Sequence, residues 1–135
     1  LLIQRVQKIL SNKIKNKRIA FLGVTFKPNT DDMRESSSPS MIAFLLRRKA
    51  RINYYDPSGE KIEFSKLNNV SYCNNLKEAC KNADLLIIHT EWEEFKALDF
   101  NKLCKKNKFK IFDMRNLYSH ELMKKKGFRY YSIGR

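Results

Sequence analysis

The chain opens on apolar residues at three- and four-residue steps, Leu2, Ile3, Val6, Ile9, Leu10 and Ile14, which is one face of a helix. That pattern is already running at Leu1, so the helix is expected to be the end of a longer one and the chain a piece of a longer protein. Arg18 to Val24 is apolar almost throughout, with Gly23 near its end, and predicts a buried strand. The loop TFKPNTDDMRESS follows, rich in turn formers and charges. Ser38 then precedes Pro39, the arrangement of an N-cap with proline at the first helical position. Met41, Ile42, Leu45 and Leu46 give that helix its apolar stripe, and Arg47 to Lys49 suit its carboxyl end. Arg51 to Tyr55 predicts a second strand, closed by the turn Asp56-Pro57-Ser58-Gly59.

Residues 60–73 carry a weaker pattern, read as a loop with a short strand at Val70 to Tyr72. Asn75 with Glu78 three residues on resembles a capping box opening a short helix to Lys81. Leu85 to His89 predicts a strand buried on both faces, and Phe109 to Asp113 another. Between them, Glu91 to Phe95 and Phe100 to Leu103 are short helical pieces. Ser119 caps a helix ending at Gly127 behind three lysines, and Phe128 to Ile133 is the final strand. Short apolar strands alternating with helices predict an α/β fold: a Rossmann-like parallel sheet with helices on both faces, preceded by the end of a long helix. Residues 1–15 are assigned to that helix and 16–135 to the sheet domain.

Composition narrows this further. The 135 residues suit one domain with its own core. With 28 Lys and Arg against 14 Asp and Glu, the net charge is +14, and polyanions are the first partners to consider. Yet the cations are spread along the chain without RNP-like motifs, zinc-finger spacing or a heptad-backed basic helix. They read as a solvated lysine surface, and nucleic acid is not the expected partner. No apolar run approaches the ~20 residues a membrane span requires, and no basic-then-apolar leader opens the sequence. Three cysteines without a CxxC pair point to a reduced, cytoplasmic setting.

Ligands of open α/β sheets bind beyond the carboxyl ends of the strands. Lys27 and Arg34 follow the first strand, Arg115 follows the strand ending at Asp113, and the helix beginning near Pro39 adds backbone N–H groups at the same rim. Together they suit a diphosphate; equally, they suit surface ion pairs with Asp31, Asp32 or Asp113. An ordinary dinucleotide site is disfavoured, because Gly23 stands alone where G-x-G-x-x-G is needed, and Asp56 reads as a turn residue. His89 and His120 are expected to be structural, and Cys73, Cys80 and Cys104 small buried hydrophobes. No Cys/His/Asp cluster has metal-ligand spacing. On its residues alone the chain binds rather than reacts.

The run G-V-T-F-K-P-N-T-D-D-M-R-E-S-S-S-P-S from Gly23, with Y-Y-D-P at Tyr54, A-D-L-L-I-I-H-T-E-W at Ala83, F-D-M-R-N-L-Y at Phe112 and G-F-R-Y-Y-S-I-G-R at Gly127, resembles the C-terminal domain of the UDP-glucose/GDP-mannose dehydrogenase family, most closely its UDP-glucose 6-dehydrogenase branch. The likeness implies an NAD-dependent enzyme that oxidises C6 of a UDP-sugar in two steps, giving UDP-glucuronate for polysaccharide synthesis. It implies an N-terminal NAD-binding domain outside this chain, and a central dimerisation helix ending within residues 1–15. The UDP-binding domain is then residues 16–135. Phe26 and Lys27 are implied contacts of the UDP-sugar, Arg115 of its nucleotide part, and Arg34 of NAD across the cleft.

Two departures accompany the resemblance. The family's catalytic thiol belongs to a glycine-rich segment that this chain lacks, so its three cysteines do not inherit that role. Met114 stands where the family usually has glycine, which bears on the aim of Arg115. The fragment alone is expected to bind without catalysing, and to self-associate through exposed Leu2, Val6, Ile9 and Leu10. The alternative is a free-standing basic module that keeps the fold and binds a nucleotide, RNA or a protein.

Overall fold

Residues 2–134 are described by a computed structural model. The strands among them are β1 (Arg18–Leu22), β2 (Arg51–Tyr55), β3 (Val70–Tyr72), β4 (Leu85–Ile88), β5 (Lys110–Asp113) and β6 (Arg129–Ser132). All pair in parallel in the order β3-β2-β1-β4-β5-β6. The helices are α1 (Leu2–Ile9), α2 (Ser38–Arg47), α3 (Leu76–Cys80), α4 (Phe100–Leu103) and α5 (His120–Lys125).

Side chains alternate across a strand, so each strand feeds two cores. Ile19, Phe21, Ile52, Tyr54, Leu85, Ile87 and Phe112 point to one face and meet Val6 and Ile9 of α1 and Met41, Ile42 and Leu45 of α2. Ala20, Leu22, Leu86, Ile88, Ile111 and Tyr130 point to the other, against Cys80, Phe100 and Met123 of α3, α4 and α5. Helices therefore cover both faces, and the expected α/β fold is the observed one.

Three features differ from the sequence reading. First, α1 stops at Ile9 rather than running on to Ile14. Ser11 and Asn12 turn left-handed at φ 53° and 60°, and Lys110 Nζ donates 2.7 Å to the Ile9 carbonyl, occupying an acceptor that a further helical turn would use. Second, Val6, Ile9 and Leu10 are buried at 1, 4 and 5% exposure, and Leu2 packs against the same cluster. The apolar face expected to lie open and drive self-association is the domain's own core. Third, the residue preceding α2 is Ser37, not Ser38, and its hydroxyl makes no cap bond. The Ser38 hydroxyl is drawn 2.6 Å to the Val24 carbonyl instead, so it fastens the helix to the segment leaving β1 rather than capping it. The caps at Asn75 and Ser119 hold as read, each accepting from the backbone N–H three residues on.

Candidate functional site

Strand order reverses between β1 and β4, and the crevice of such a sheet opens there, beyond the carboxyl ends. The chain leaves β1 through Gly23 at φ +79°. Val24 and Thr25 are still fully buried, whereas Phe26 is 43% exposed and Lys27 is open to solvent. The segment rises abruptly from core to rim.

Its polar backbone groups are secured one after another. Gly23 N–H donates to the Tyr55 carbonyl, and Val24 N–H to Asp56 Oδ2 at 2.8 Å. The Val24 carbonyl accepts from the hydroxyls of both Ser36 and Ser38, at 2.6 Å each. Thr25's carbonyl accepts from Thr90 Oγ1 at 2.8 Å, Phe26's from Arg115 Nη2 at 3.1 Å, and Lys27's from Thr25 Oγ1 at 3.0 Å. Hydrogen bonds from four surrounding segments thus hold this irregular stretch and restrict where Phe26 and Lys27 stand.

Asp56, at the end of β2, is fully buried. Besides Val24 it accepts from Ser58 N at 2.9 Å and Ser58 Oγ at 2.6 Å. It is a turn residue that also ties the β1 loop, in keeping with the sequence reading. The carboxylate that a dinucleotide fold would offer to a ribose is already engaged, so these residues do not form an NAD cradle.

His89 closes the other side. It is fully buried, with Nε2 3.0 Å from Ser37 Oγ and Nδ1 3.0 Å from Thr90 Oγ1. Thr90 gives its one hydroxyl proton to Thr25, so Nδ1 carries the ring proton and donates to Thr90. Nε2 then accepts from Ser37. Burial, with Arg115 nearby, lowers the His89 pKa to about 3. A structural histidine is what the sequence predicted. Its folded pKa lies below the unfolded value of 6.5, so its stabilising effect is complete above pH 6.5 and fades as pH falls toward 3. Acidifying from pH 6.5 to 5 is expected to remove about 2 kcal/mol through this group, a loss absent from His89→Gln. Urea unfolding at the two pH values measures it; equal slopes in both proteins would refute the assignment.

Arg115 lies at the rim as expected, but two of its nitrogens are occupied. Nε donates to the His89 carbonyl at 2.9 Å and Nη2 to Phe26, with a Glu91 oxygen 3.7 Å from Nε. Asp113 shapes the loop that carries it, accepting from Arg115 N–H at 3.1 Å, Tyr118 N–H at 3.1 Å and the Tyr130 hydroxyl at 2.5 Å. Met114 packs against the α1–α2 core cluster, and its N–H donates to Ile88 O. Arg34 is highly exposed and clasps Asp32 through Nε and Nη2, the latter at 2.9 Å. That guanidinium holds the Asp32 carboxyl below its usual range. Lys27 has no ion pair among the described residues, so its ammonium is the rim's available charge. The sequence singled out Lys27, Arg34 and Arg115 but missed Thr90, Ser36 and Ser37, because hydroxyl residues have no signature until the fold supplies their partners.

Elsewhere, Cys73, Cys80 and Cys104 are free and buried, and burial pushes Cys73 to about 11 and Cys80 to about 12. Thiols so protonated are poor nucleophiles. A hollow of about 420 Å³ lies among Lys105, Lys106, Lys108 and Arg129, at the opposite, amino end of β5 and β6. Those cations are solvated, and no strand order reverses there. Among the described residues, no helix is long and apolar enough to cross a membrane.

A model of the UDP-glucose/GDP-mannose dehydrogenase family, UDP binding domain, matches residues 20–120. The UDP-glucose 6-dehydrogenase of Rickettsia felis is 38% identical over 98% of this chain and 30% of that protein. The UDP-glucose 6-dehydrogenase of Rhizobium meliloti is 43% identical over 90% of this chain and 28% of its own. The chain thus spans under a third of the length of these curated relatives. In structure, the NDP-N-acetyl-D-galactosaminuronic acid dehydrogenase of Methanosarcina mazei Go1 superposes on 98% of this chain and 28% of its own, with TM-score 0.80 and 25% identity. A likeness running through nearly the whole chain supports the dehydrogenase reading and not the free-standing basic module.

Proposed function

This chain belongs to the UDP-glucose/GDP-mannose dehydrogenase family as its UDP-binding domain, and from that premise we propose that the rim beyond β1 and β4 holds the UDP moiety of a UDP-sugar. One observation carries the reading: the fastened segment 23–27 delivers an unpaired Lys27 ammonium and an exposed Phe26 ring to the switch point of the sheet, beside Arg115. Lys27 meets the diphosphate, where a charge-assisted hydrogen bond is strongest. Phe26 offers an apolar face beside it. Arg115 keeps the Phe26 carbonyl while turning its remaining donor edge to the nucleotide.

Within a whole protein of the relatives' length, the activity is oxidation of UDP-glucose to UDP-glucuronate with two NAD, in the cytoplasm. NAD supplies the hydride acceptor and is held by the portion that this chain does not span, since Asp56 is not free to take its ribose. Arg34 would contribute from across the cleft. Its partner Asp32 sits in an exposed, solvent-screened pair, so exchanging that carboxylate for a phosphate costs little. A homodimer remains part of this reading, but it cannot use Val6, Ile9 and Leu10, which the domain's own sheet covers.

Calorimetry of UDP titrated into the 135-residue chain tests the binding claim. Saturable heat at sub-millimolar to millimolar UDP is expected, with weaker binding of UMP and none of uridine. No heat at millimolar UDP would refute binding by this domain. NADH formation from UDP-glucose on adding the NAD-binding portion of a relative tests the enzymatic claim.

A further inference from the structure

We propose that Thr90 is a positioning residue for the UDP-sugar loop: it clamps the backbone of residues 23–25 from just past the end of β4 and thereby sets where Phe26 and Lys27 stand. The proposal rests on the reading of the rim as a UDP-sugar site. Thr90 is fully buried and makes two contacts with the segment it faces. Its Cβ lies so close to Gly23 that a Cβ added there would sit 2.7 Å away, and its hydroxyl donates to the Thr25 carbonyl at 2.8 Å. The same oxygen accepts from His89 Nδ1, whose Nε2 accepts from Ser37, the residue immediately before α2. One run of hydrogen bonds therefore joins the start of α2, the end of β4 and the loop above β1, with every member polarised in the same sense.

Two neighbouring carbonyls depend on different clamps. Thr25's is held by Thr90, and Phe26's by Arg115, which itself leans on the His89 carbonyl. Arg115 faces the ligand; Thr90 lies beneath the loop and touches no ligand. If its hydroxyl is lost, Thr25's carbonyl and His89's ring N–H are left unpaired in a buried setting, and the peptide preceding Phe26 is released. A loop that adopts its binding form for only a tenth of the time binds about tenfold more weakly.

Thr90→Val replaces the hydroxyl by a methyl of nearly the same shape, whereas Thr90→Ser keeps the hydroxyl and gives up the methyl. Both lower thermal stability, so a merely structural role predicts similar behaviour. The two variants are compared, folded and well below their melting temperatures, in amide exchange at Val24 and Phe26 without ligand and in UDP affinity by calorimetry. Thr90→Val is expected to accelerate exchange at those amides about tenfold relative to β4 amides, and to raise the UDP Kd about tenfold. Thr90→Ser is expected to retain both parental values. Parental exchange in Thr90→Val, or equal impairment in Thr90→Ser, would overturn the proposal. Should Thr90→Val not fold, Thr90→Cys takes its place, its thiol being a poor donor of similar size. If the parent chain binds no UDP, the UDP-sugar reading falls, while the exchange measurement still decides whether Thr90 is the clamp.

Discussion

Gly23→Ala is expected to lose about 3–5 kcal/mol, enough to unfold a domain of ordinary marginal stability. Two costs add at this position. Gly23 is held at φ +79°, a region that L side chains rarely adopt. A Cβ there would also lie 2.7 Å from Thr90 Cβ, 2.9 Å from Thr90 Oγ1 and 3.2 Å from the Phe95 ring. None of these atoms can retreat, because Thr90 and Phe95 are fully buried. Gly59 separates the two costs. Its φ is +99° but nothing lies within 4 Å of its added Cβ, so Gly59→Ala is expected to lose only about 1 kcal/mol. Urea midpoints of the two variants measure the difference. Equal losses would mean that backbone strain alone matters and that the approach to Thr90 is tolerant.

Lys27→Ala is expected to weaken UDP binding about 10- to 100-fold while leaving the melting temperature within about a degree of the parent. The side chain is exposed and its ammonium makes no hydrogen bond or close ion pair among the described residues, so the fold loses little when it goes. A bound diphosphate would lose a charge-assisted hydrogen bond. Lys27→Arg, which keeps the charge at greater reach, is expected to recover part of the affinity, and the Lys27 contribution to shrink as salt is raised. Calorimetry at low and physiological ionic strength reads all three. Unchanged affinity in Lys27→Ala would place the diphosphate elsewhere.

These two sites differ in how far they could be read from sequence. Lys27 stands out as a cation just past a buried strand, which suffices to place it on the rim beyond the carboxyl ends of the strands. Gly23 stands out only as a lone glycine lacking its dinucleotide companions. Why it must be glycine depends on Thr90, 67 residues away, being brought against it by β1–β4 pairing. Arg115 shows the same division. Its place after β5 follows from local pattern, but its engagement with the carbonyls of Phe26 and His89 requires the spatial order of three strands.

The opening helix shows where local pattern misleads. Leu2, Val6, Ile9 and Leu10 repeat as a helical face, and periodicity alone cannot say whether such a face meets its own domain or another chain. Lys110 and the left-handed turn at Ser11 and Asn12 end α1 early and fold that face onto the sheet.

Sequence by itself determined the strands, their parallel α/β arrangement and the rim on which the cations fall. Those follow from short-range periodicity, turn chemistry and capping, all written within a few residues of one another. Tertiary structure alone decided which cation is available, which carboxylate is occupied and what holds the loop still. Hydrogen bonds such as Thr90 to Thr25, Asp56 to Val24 and Ser37 to His89 join residues 32–65 positions apart. Partners that distant have no sequence signature until the sheet sets them side by side.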